Sequence, residues 1–180
     1  ASITFSVSES ELAITSGGVL TFASAPDYEI KSTYTATVTA SDGSNTTTQD
    51  ITVNITDVNE APAFTSSPTF SAAENQTSIG TVTATDGDDD SVTFTVSGSE
   101  LAITSVGVLT FVSAPDYETK SFYTATVTAS DGTNTSTQDI TVNITDVNEA
   151  PVFTSSATFS AAENQTSIGT VTATDGDDDS

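Results

Sequence analysis

Phe122-Tyr123-Thr124-Ala125-Thr126-Val127-Thr128-Ala129 alternates without a break. Tyr123, Ala125, Val127 and Ala129 fall on one side and Thr124, Thr126 and Thr128 on the other, the period of two that marks a half-buried strand. Ile140 to Thr145 repeats the pattern, with Ile140, Val142 and Ile144 inward and Thr141, Asn143 and Thr145 outward. Upstream, Val108–Phe111 and Leu101–Thr104 flank a turn at Gly107, and Ser91–Val96 places Val92, Phe94 and Val96 on one face. Thr77–Thr85 precedes them. Phe64–Ala73 is expected as a first edge strand, because Pro68 interrupts it and proline has no N–H for a ladder. Seven short β-rich strands with polar turns and no helical period predict an antiparallel sandwich. Its small Ala residues and few aromatics predict a slim core.

The same text occurs more than once. Asn59-Glu60-Ala61-Pro62 returns as Asn148-Glu149-Ala150-Pro151, 89 residues later. That offset also carries Asp27 to Asp116, Asp42 to Asp131, Glu74 to Glu163 and Asp86 to Asp175. Residues 2–60 thus repeat as 91–149, and 61–91 as 150–180, with small swaps such as Ile3/Val92, Ala23/Val112 and Thr33/Phe122. Solenoid units run to about 20–50 residues, so a period of this length predicts domains that each close their own core. The phasing predicts the C-terminal part of one domain at 1–60, a complete domain at 61–149 and the N-terminal part of the next at 150–180. Ala1 is neither a start codon nor the opening of a signal peptide, so the chain is read as an excerpt of a longer one.

Charge narrows the function. The 180 residues hold 25 Asp plus Glu and only two basic residues, Lys31 and Lys120, for a net charge of −23. That excludes a nucleic-acid binder, which needs a basic stripe, and argues against docking on anionic lipid. No apolar run approaches the ~18 residues of a membrane span. There is no His, Cys, Met, Trp or Arg. The common general base, the thiol nucleophile, zinc sites and disulfides are all removed. Paired carboxylates alone suggest a glycosidase, but there is no Trp or Arg to hold a sugar, and an enzyme is not expected. Oxygen donors are left, which suit hard cations such as calcium.

The acids are not scattered evenly. Asp50 and Asp139 read as solvated loop acids at the start of the last strand. Glu74, the pair Asp116 and Glu118, Asp131, Asp86 to Asp90 and the linker Asp146 to Glu149 stand at strand ends, in loops that gather at the poles of a sandwich. Packing acids at a pole costs repulsion unless a cation is present, and calcium takes about 6–8 oxygens from converging segments.

Ala73-Glu74-Asn75, Asp86-Gly87-Asp88, Asp116-Tyr117-Glu118, Ala129-Ser130-Asp131-Gly132 and Asp146-Val147-Asn148-Glu149-Ala150-Pro151 are similar, in order and spacing, to the calcium-binding motifs of cadherin repeats. The likeness covers the whole chain. The lack of Cys, the near-identical copies and the short linker resemble the cadherin-like repeats of large bacterial surface adhesins. The linker is one residue shorter than the family's Asp-x-Asn-Asp-Asn-x-Pro, with Glu for its second Asp. The loop after Asp86 has Asp89 and Asp90 where Gly and Asn are usual.

The resemblance implies an array of Ig-like, Greek-key sandwiches with calcium between successive domains. At the second junction it implies Glu74, Asp116 and Glu118, then the Val147 carbonyl, Asn148 and Glu149, then Asp175 and Asp177 as ligands. At the first it implies Asp27, Glu29, Asn59 and Glu60, then Asp86, Asp88 and Asp131. Asp57 and Asp146 open the linkers and are expected to cap or orient them. Lys31 and Lys120 are expected to be exposed solubilising charges.

Three functional readings remain, all extracellular and at a cell surface. The leading one is a calcium-stiffened structural extender of an adhesin or surface filament, its partners the neighbouring identical repeats. The second is an adhesion module that contacts a like domain or a glycan, for which Phe122 is the one aromatic candidate, although its position near a turn favours packing. The third is a subunit of a head-to-tail filament. There the tail of one copy completes the head of the next and covers Val171 and Ala173 at one end, and Phe5, Val7 and Val38 at the other.

Overall fold

A computed structural model describes residues 2–177. All of its regular structure is β, and among the described residues no helix is long and apolar enough to cross a membrane. The chain forms two compact units, Ala1–Glu60 and Ala61–Ser180.

The first unit holds β1 (Thr4–Val7), β2 (Leu12–Ile14), β3 (Leu20–Phe22), β4 (Thr33–Ser41) and β5 (Thr46–Asn54). They make a three-stranded sheet in the order β1-β4-β5 and a separate β2-β3 pair.

The second unit is richer. It holds β6 (Ala63–Phe64), β7 (Thr69–Ala73), β8 (Ser78–Thr81), β9 (Ala84–Thr85), β10 (Thr93–Val96), β11 (Leu101–Ile103), β12 (Val108–Phe111), β13 (Phe122–Ser130) and β14 (Thr135–Thr145), then β15 (Val152–Phe153) and β16 (Ala173–Thr174). One sheet runs β10-β13-β14-β7 and the facing one β11-β12-β8, with β6-β9 and β15-β16 as separate pairs. The sheets close on Leu109, Val127, Ile140, Val142 and Val82, which are fully buried, together with Phe94, Leu101, Phe111 and Ile144. Each large apolar side chain so buried stabilises the fold by about 2 kcal/mol before the entropy of ordering it. The inward set expected from the alternation of β13 and β14 is the set that meets this core.

The first expected strand is in fact two. β6 pairs antiparallel with β9, and β7 pairs parallel with β14, Thr141 opposite Thr69. Pro68 stands at the crossing and uses its carbonyl alone, accepting from the Thr141 N–H at 2.9 Å. The second expected strand likewise breaks between β8 and β9. There the Val82 N–H turns to the Gly107 carbonyl at 2.9 Å. Gly107 has φ +88°, and a Cβ on it would collide with the Val82 carbonyl oxygen, so only glycine fits that turn.

Three smaller expectations are corrected. Asp50 and Asp139 lie within β5 and β14, where each carboxylate accepts from a cross-strand threonine, Thr37 and Thr126, at 2.7 Å. Lys120 is half-buried rather than a free surface charge. Its Nζ donates to both oxygens of Glu100 at 2.6 and 2.7 Å and sits 4.3 Å over the Tyr123 ring. Lys31 repeats this with Glu11 and Tyr34. Phe122 does not pack inward, because it begins β13 on the threonine face and is 56% exposed.

Candidate metal centre

The strongest candidate lies within the second unit, where the 61–149 sandwich meets residues 150–177. Glu74 follows directly on β7 and is 3% exposed, the one buried charged residue of the described chain. Burying a carboxylate is costly unless it is hydrogen-bonded. Here Oε2 accepts from the Tyr117 N–H and Oε1 from the Val147 N–H, both at 2.8 Å. Each oxygen keeps a further lone pair. The chain turns away at once: Asn75 has φ 62°, in the left-handed region that asparagine tolerates. Its N–H donates to the Pro115 carbonyl at 3.0 Å, and its side-chain amide donates to the Glu149 carboxylate.

Around Glu74 the acids converge. Glu74, Glu118, Asp146 and Asp177 each bring one carboxylate oxygen within 4.8 Å of the others. Asp177 is positioned by the linker, its Oδ2 accepting from the Glu149 N–H at 2.7 Å and the Asn148 amide at 3.0 Å. Its other oxygen, Oδ1, is buried and has no hydrogen-bond partner. Asp175 Oδ1 accepts from the Asp177 N–H at 3.2 Å and sets the turn. Beside the cluster a cleft of about 390 Å³ is lined by Glu74, Asn75, Asp116, Glu118 and Glu149. Asp116 stands at its wall, where its Oδ1 caps a turn by accepting from the Thr119 N–H at 2.8 Å.

Proton affinities reflect the crowding. A local backbone hydrogen bond pulls the Glu118 carboxyl down. Desolvation and repulsion from Glu74, Asp146 and Asp177 outweigh it, and the group ends above the ordinary glutamate value. Glu149 behaves alike: the Asn75 amide lowers it, but burial and the charges of Glu74 and Asp177 carry it above the ordinary value. Asp177 goes the other way, held down chiefly by the Glu149 N–H and then by the Asn148 amide.

The donor set fits a hard divalent cation. It is all oxygen and strongly anionic, and it includes a buried oxygen with nothing to bond. Neither lysine offsets it, since Lys120 is held by Glu100 and Lys31 by Glu11.

Of the residues implied for the second junction, Glu74, Glu118 and Asp177 meet in the cluster. Asp116 and Glu149 line the adjoining cleft, and Asn148 and Asp175 orient Asp177. Asp146, expected to cap or orient the linker, brings an oxygen to the cluster. Asn75 was also outside the expected set; its one signal was its place in Ala73-Glu74-Asn75.

Of the residues implied for the first junction, Asp27, Asp86 and Asp131 each hold a local turn of their own unit. In the first unit, Asp27 Oδ1 accepts from the Ile30 N–H at 3.0 Å, and the Asn59 amide donates to the Glu60 carbonyl at 2.8 Å. Glu29 is exposed. In the second unit, Asp86 Oδ1 accepts from the Asp88 N–H at 3.1 Å. Asp131 Oδ1 there accepts from the N–H groups of Thr133 and Asn134, each at 2.6 Å.

Comparison with known proteins gives a consistent picture. No family model matches the chain. The mouse cadherin EGF LAG seven-pass G-type receptor 1 is 33% identical over 180 aligned residues, 89% of this chain and 6% of the receptor. The Drosophila melanogaster protocadherin-like wing polarity protein stan is 35% identical over 161 residues, 77% of this chain and 4% of that protein. The chain therefore spans only a small part of the length of these relatives. Both are animal proteins, and neither bears on the likeness to bacterial adhesins. Among solved structures, the first three extracellular cadherin domains of mouse protocadherin-24 superpose with a TM-score of 0.60 at 23% identity, covering 98% of this chain and 67% of that one. These likenesses agree with the two-sheet topology: the chain is made of cadherin-like repeat domains, all-β modules of Ig-like sandwich architecture.

Proposed function

We propose that this chain is a calcium-stiffened segment of an extracellular, cell-surface adhesion protein, in which the ion joins each domain to the next. Cadherin-like domains of this kind are implicated in cell adhesion. The observation that carries the calcium reading is the convergence of Glu74, Glu118, Asp146 and Asp177 about a buried, unpartnered Asp177 oxygen. These residues come from the end of β7, the 116–120 turn, the linker and the following domain. An ion held by all four would couple the sandwich to residues 150–177. Asp116 and Glu149, lining the adjoining cleft, would take part in a second position. By the 89-residue repeat, Asp27, Glu29, Asn59, Glu60, Asp86, Asp88 and Asp131 would form the corresponding set one period earlier.

In this reading the domain's work is mechanical. An ion bound only by the native, docked state stabilises it by RT ln(1 + [L]/Kd) and restrains the hinge. The test is calcium titration by calorimetry together with small-angle scattering in calcium and in chelator. Binding with an increase in maximum dimension is expected; no bound calcium, or an unchanged dimension, would sink the proposal.

A second reading, a contact surface for a like domain or a glycan, is favoured by Phe122. It is a large exposed aromatic on an otherwise threonine-lined face, where the other copy has Thr33. Loss of self-association or glycan binding in Phe122→Thr, with calcium binding intact, would support it.

A further inference from the structure

Acids outnumber bases 25 to 2 in this chain, and both bases stand at the same place in the repeat, just past the glutamate of the acidic turn. Coulomb attraction alone would send each ammonium to the nearest crowd of carboxylates, which for Lys120 is the cluster that Glu118 enters. It goes elsewhere. Its Nζ donates to both oxygens of Glu100, at 2.6 and 2.7 Å, and lies 4.3 Å over the Tyr123 ring. Lys31 makes the same choice in its own unit, with Glu11 and with the Tyr34 ring at 4.4 Å.

Both partners of Lys120 are fixed points. Tyr123 lies in β13, packs against the core and meets Phe111 edge-on, with 5.1 Å between ring centroids. Glu100 directly precedes β11, and its carbonyl accepts the Val112 N–H at 2.9 Å. The 116–120 turn, by contrast, lies outside the strands. It is closed by its own bonds, Lys120 N–H to the Asp116 carbonyl at 2.9 Å and Thr119 N–H to Asp116 Oδ1 at 2.8 Å. Glu74 holds it near one end through the Tyr117 N–H, and the Lys120 side chain holds it at the other. Between these two ties stands Glu118, which brings an oxygen to the cluster.

We propose that Lys120 is a positioning residue of the calcium site, clamping the 116–120 turn onto Glu100 and Tyr123 so that Glu118 and Asp116 stand in place before the ion arrives. The proposal rests on the calcium reading above. Lys120 supplies no ligand; it acts through the shape of the turn. A site whose ligands are already placed loses less entropy on closing around an ion, and so binds more tightly. Glu100 acts with it, since without that carboxylate the ammonium is free to fold back on the cluster as an internal counter-ion.

The sign of the effect separates positioning from charge. Lys120→Gln removes a cation from beside an anionic site, so simple electrostatics makes calcium bind more tightly. Loss of positioning makes it bind more weakly, by about tenfold, the scale of a lost supporting contact at a metal site. Calorimetric titration of the whole chain with calcium chloride decides between them. Lys120→Arg, which keeps the forked pair and the ring contact, should bind within about twofold of the unmodified chain. Glu100→Gln should weaken binding too, and adding it to Lys120→Gln should change little more, because both cut the same tie. Hydrogen exchange in chelator gives a readout that needs no ion. In Lys120→Gln the amides of residues 119 and 120 should exchange faster while those of β13 and β14 keep their protection, since a pair this exposed adds little to global stability. Unchanged or tighter calcium binding in Lys120→Gln would overturn the proposal and leave the calcium reading intact. So would unchanged exchange at residues 119 and 120, or a loss of protection spread evenly over the domain. Absence of calcium uptake by the unmodified chain would overturn both.

Discussion

The buried carboxylate of Glu74 accepts the backbone N–H of Val147 at 2.8 Å, across 73 positions of chain. Its other oxygen accepts the Tyr117 N–H. One side chain thus ties the end of β7 to the loop before β13 and to the linker after β14. Its role is structural before any ion arrives, because it satisfies two N–H groups at a strand terminus.

Glu74→Ala removes both bonds and leaves those two donors unpaired. A loss of about 3 kcal/mol is expected in the metal-free protein, from two charge-assisted hydrogen bonds at a buried site. Urea denaturation in chelator checks this. A loss below about 0.5 kcal/mol would show that water replaces the carboxylate at no cost and that Glu74 is not a structural tie.

Asp177 and Asp146 separate ion binding from folding. Asp177→Asn keeps a side-chain oxygen for the Glu149 N–H while removing charge from the cluster, and Asp146→Asn does the same from the linker side. Each should weaken calcium binding by about tenfold or more, with little effect on metal-free stability. Calorimetry and chelated melts on the same variants check both halves. Unchanged affinity in Asp146→Asn would return that residue to the capping role its place in the linker first suggested.

Proton linkage gives opposite slopes with and without metal. Glu118 and Glu149 are raised in the folded state, chiefly through desolvation and the neighbouring acids, which outweigh their own hydrogen bonds. A raised group contributes stability that is present below its unfolded value and lost as pH rises through its folded one. Asp177, held down by the Glu149 N–H, and Asp42, held down by the Asn45 and Ser44 N–H groups, contribute stability lost only as pH falls through their depressed values. Metal-free protein should therefore gain stability as pH falls from neutral towards about 5, and lose it well below the ordinary aspartate range. In calcium the trend above pH ~5 should reverse, since protons compete with the ion for Glu118 and Glu149. Melting temperatures of both forms across that range test the crossing; parallel slopes would show that these two groups do not meet the ion.

Residues differed in how far their roles could be read in advance. The inward sets of β13 and β14 were legible because a period of two needs no knowledge of the partner strand. The recurrence of Glu74, Asp116 and Glu118 beside the linker motif marked the acidic pole without coordinates. The partner switch at Pro68 was not legible, because β9 and β14 lie far along the chain and proline only says that a ladder stops. That Asp146 brings an oxygen to the cluster was not legible for a related reason: whether a strand-terminal carboxylate faces linker or cluster depends on the exit of β14, where Glu74 holds the Val147 N–H. Lys120 was misjudged because a lone cation in a polar loop gives no sign of a carboxylate and a ring waiting across the fold.

The repeat itself allows a matched pair of cavity variants. Leu109 and Leu20 occupy the same place in the repeat, at the centre of β12 and within β3, each opposite an isoleucine, Ile103 and Ile14. Leu109 is also covered by β8, where it faces Gly80, and is fully buried; among the described residues Leu20 has no such neighbouring strand and is 37% exposed. Leu109→Ala should cost about 3 kcal/mol, the transfer term plus an unfilled cavity. Leu20→Ala should cost less than about 1 kcal/mol in dilute chain, because little apolar surface leaves water at that site. Hydrogen exchange resolved over 2–60 and 61–149 reads the two units separately. Equal costs in dilute chain would mean that Leu20 is already covered, and the exposed face of the first unit would have to be abandoned.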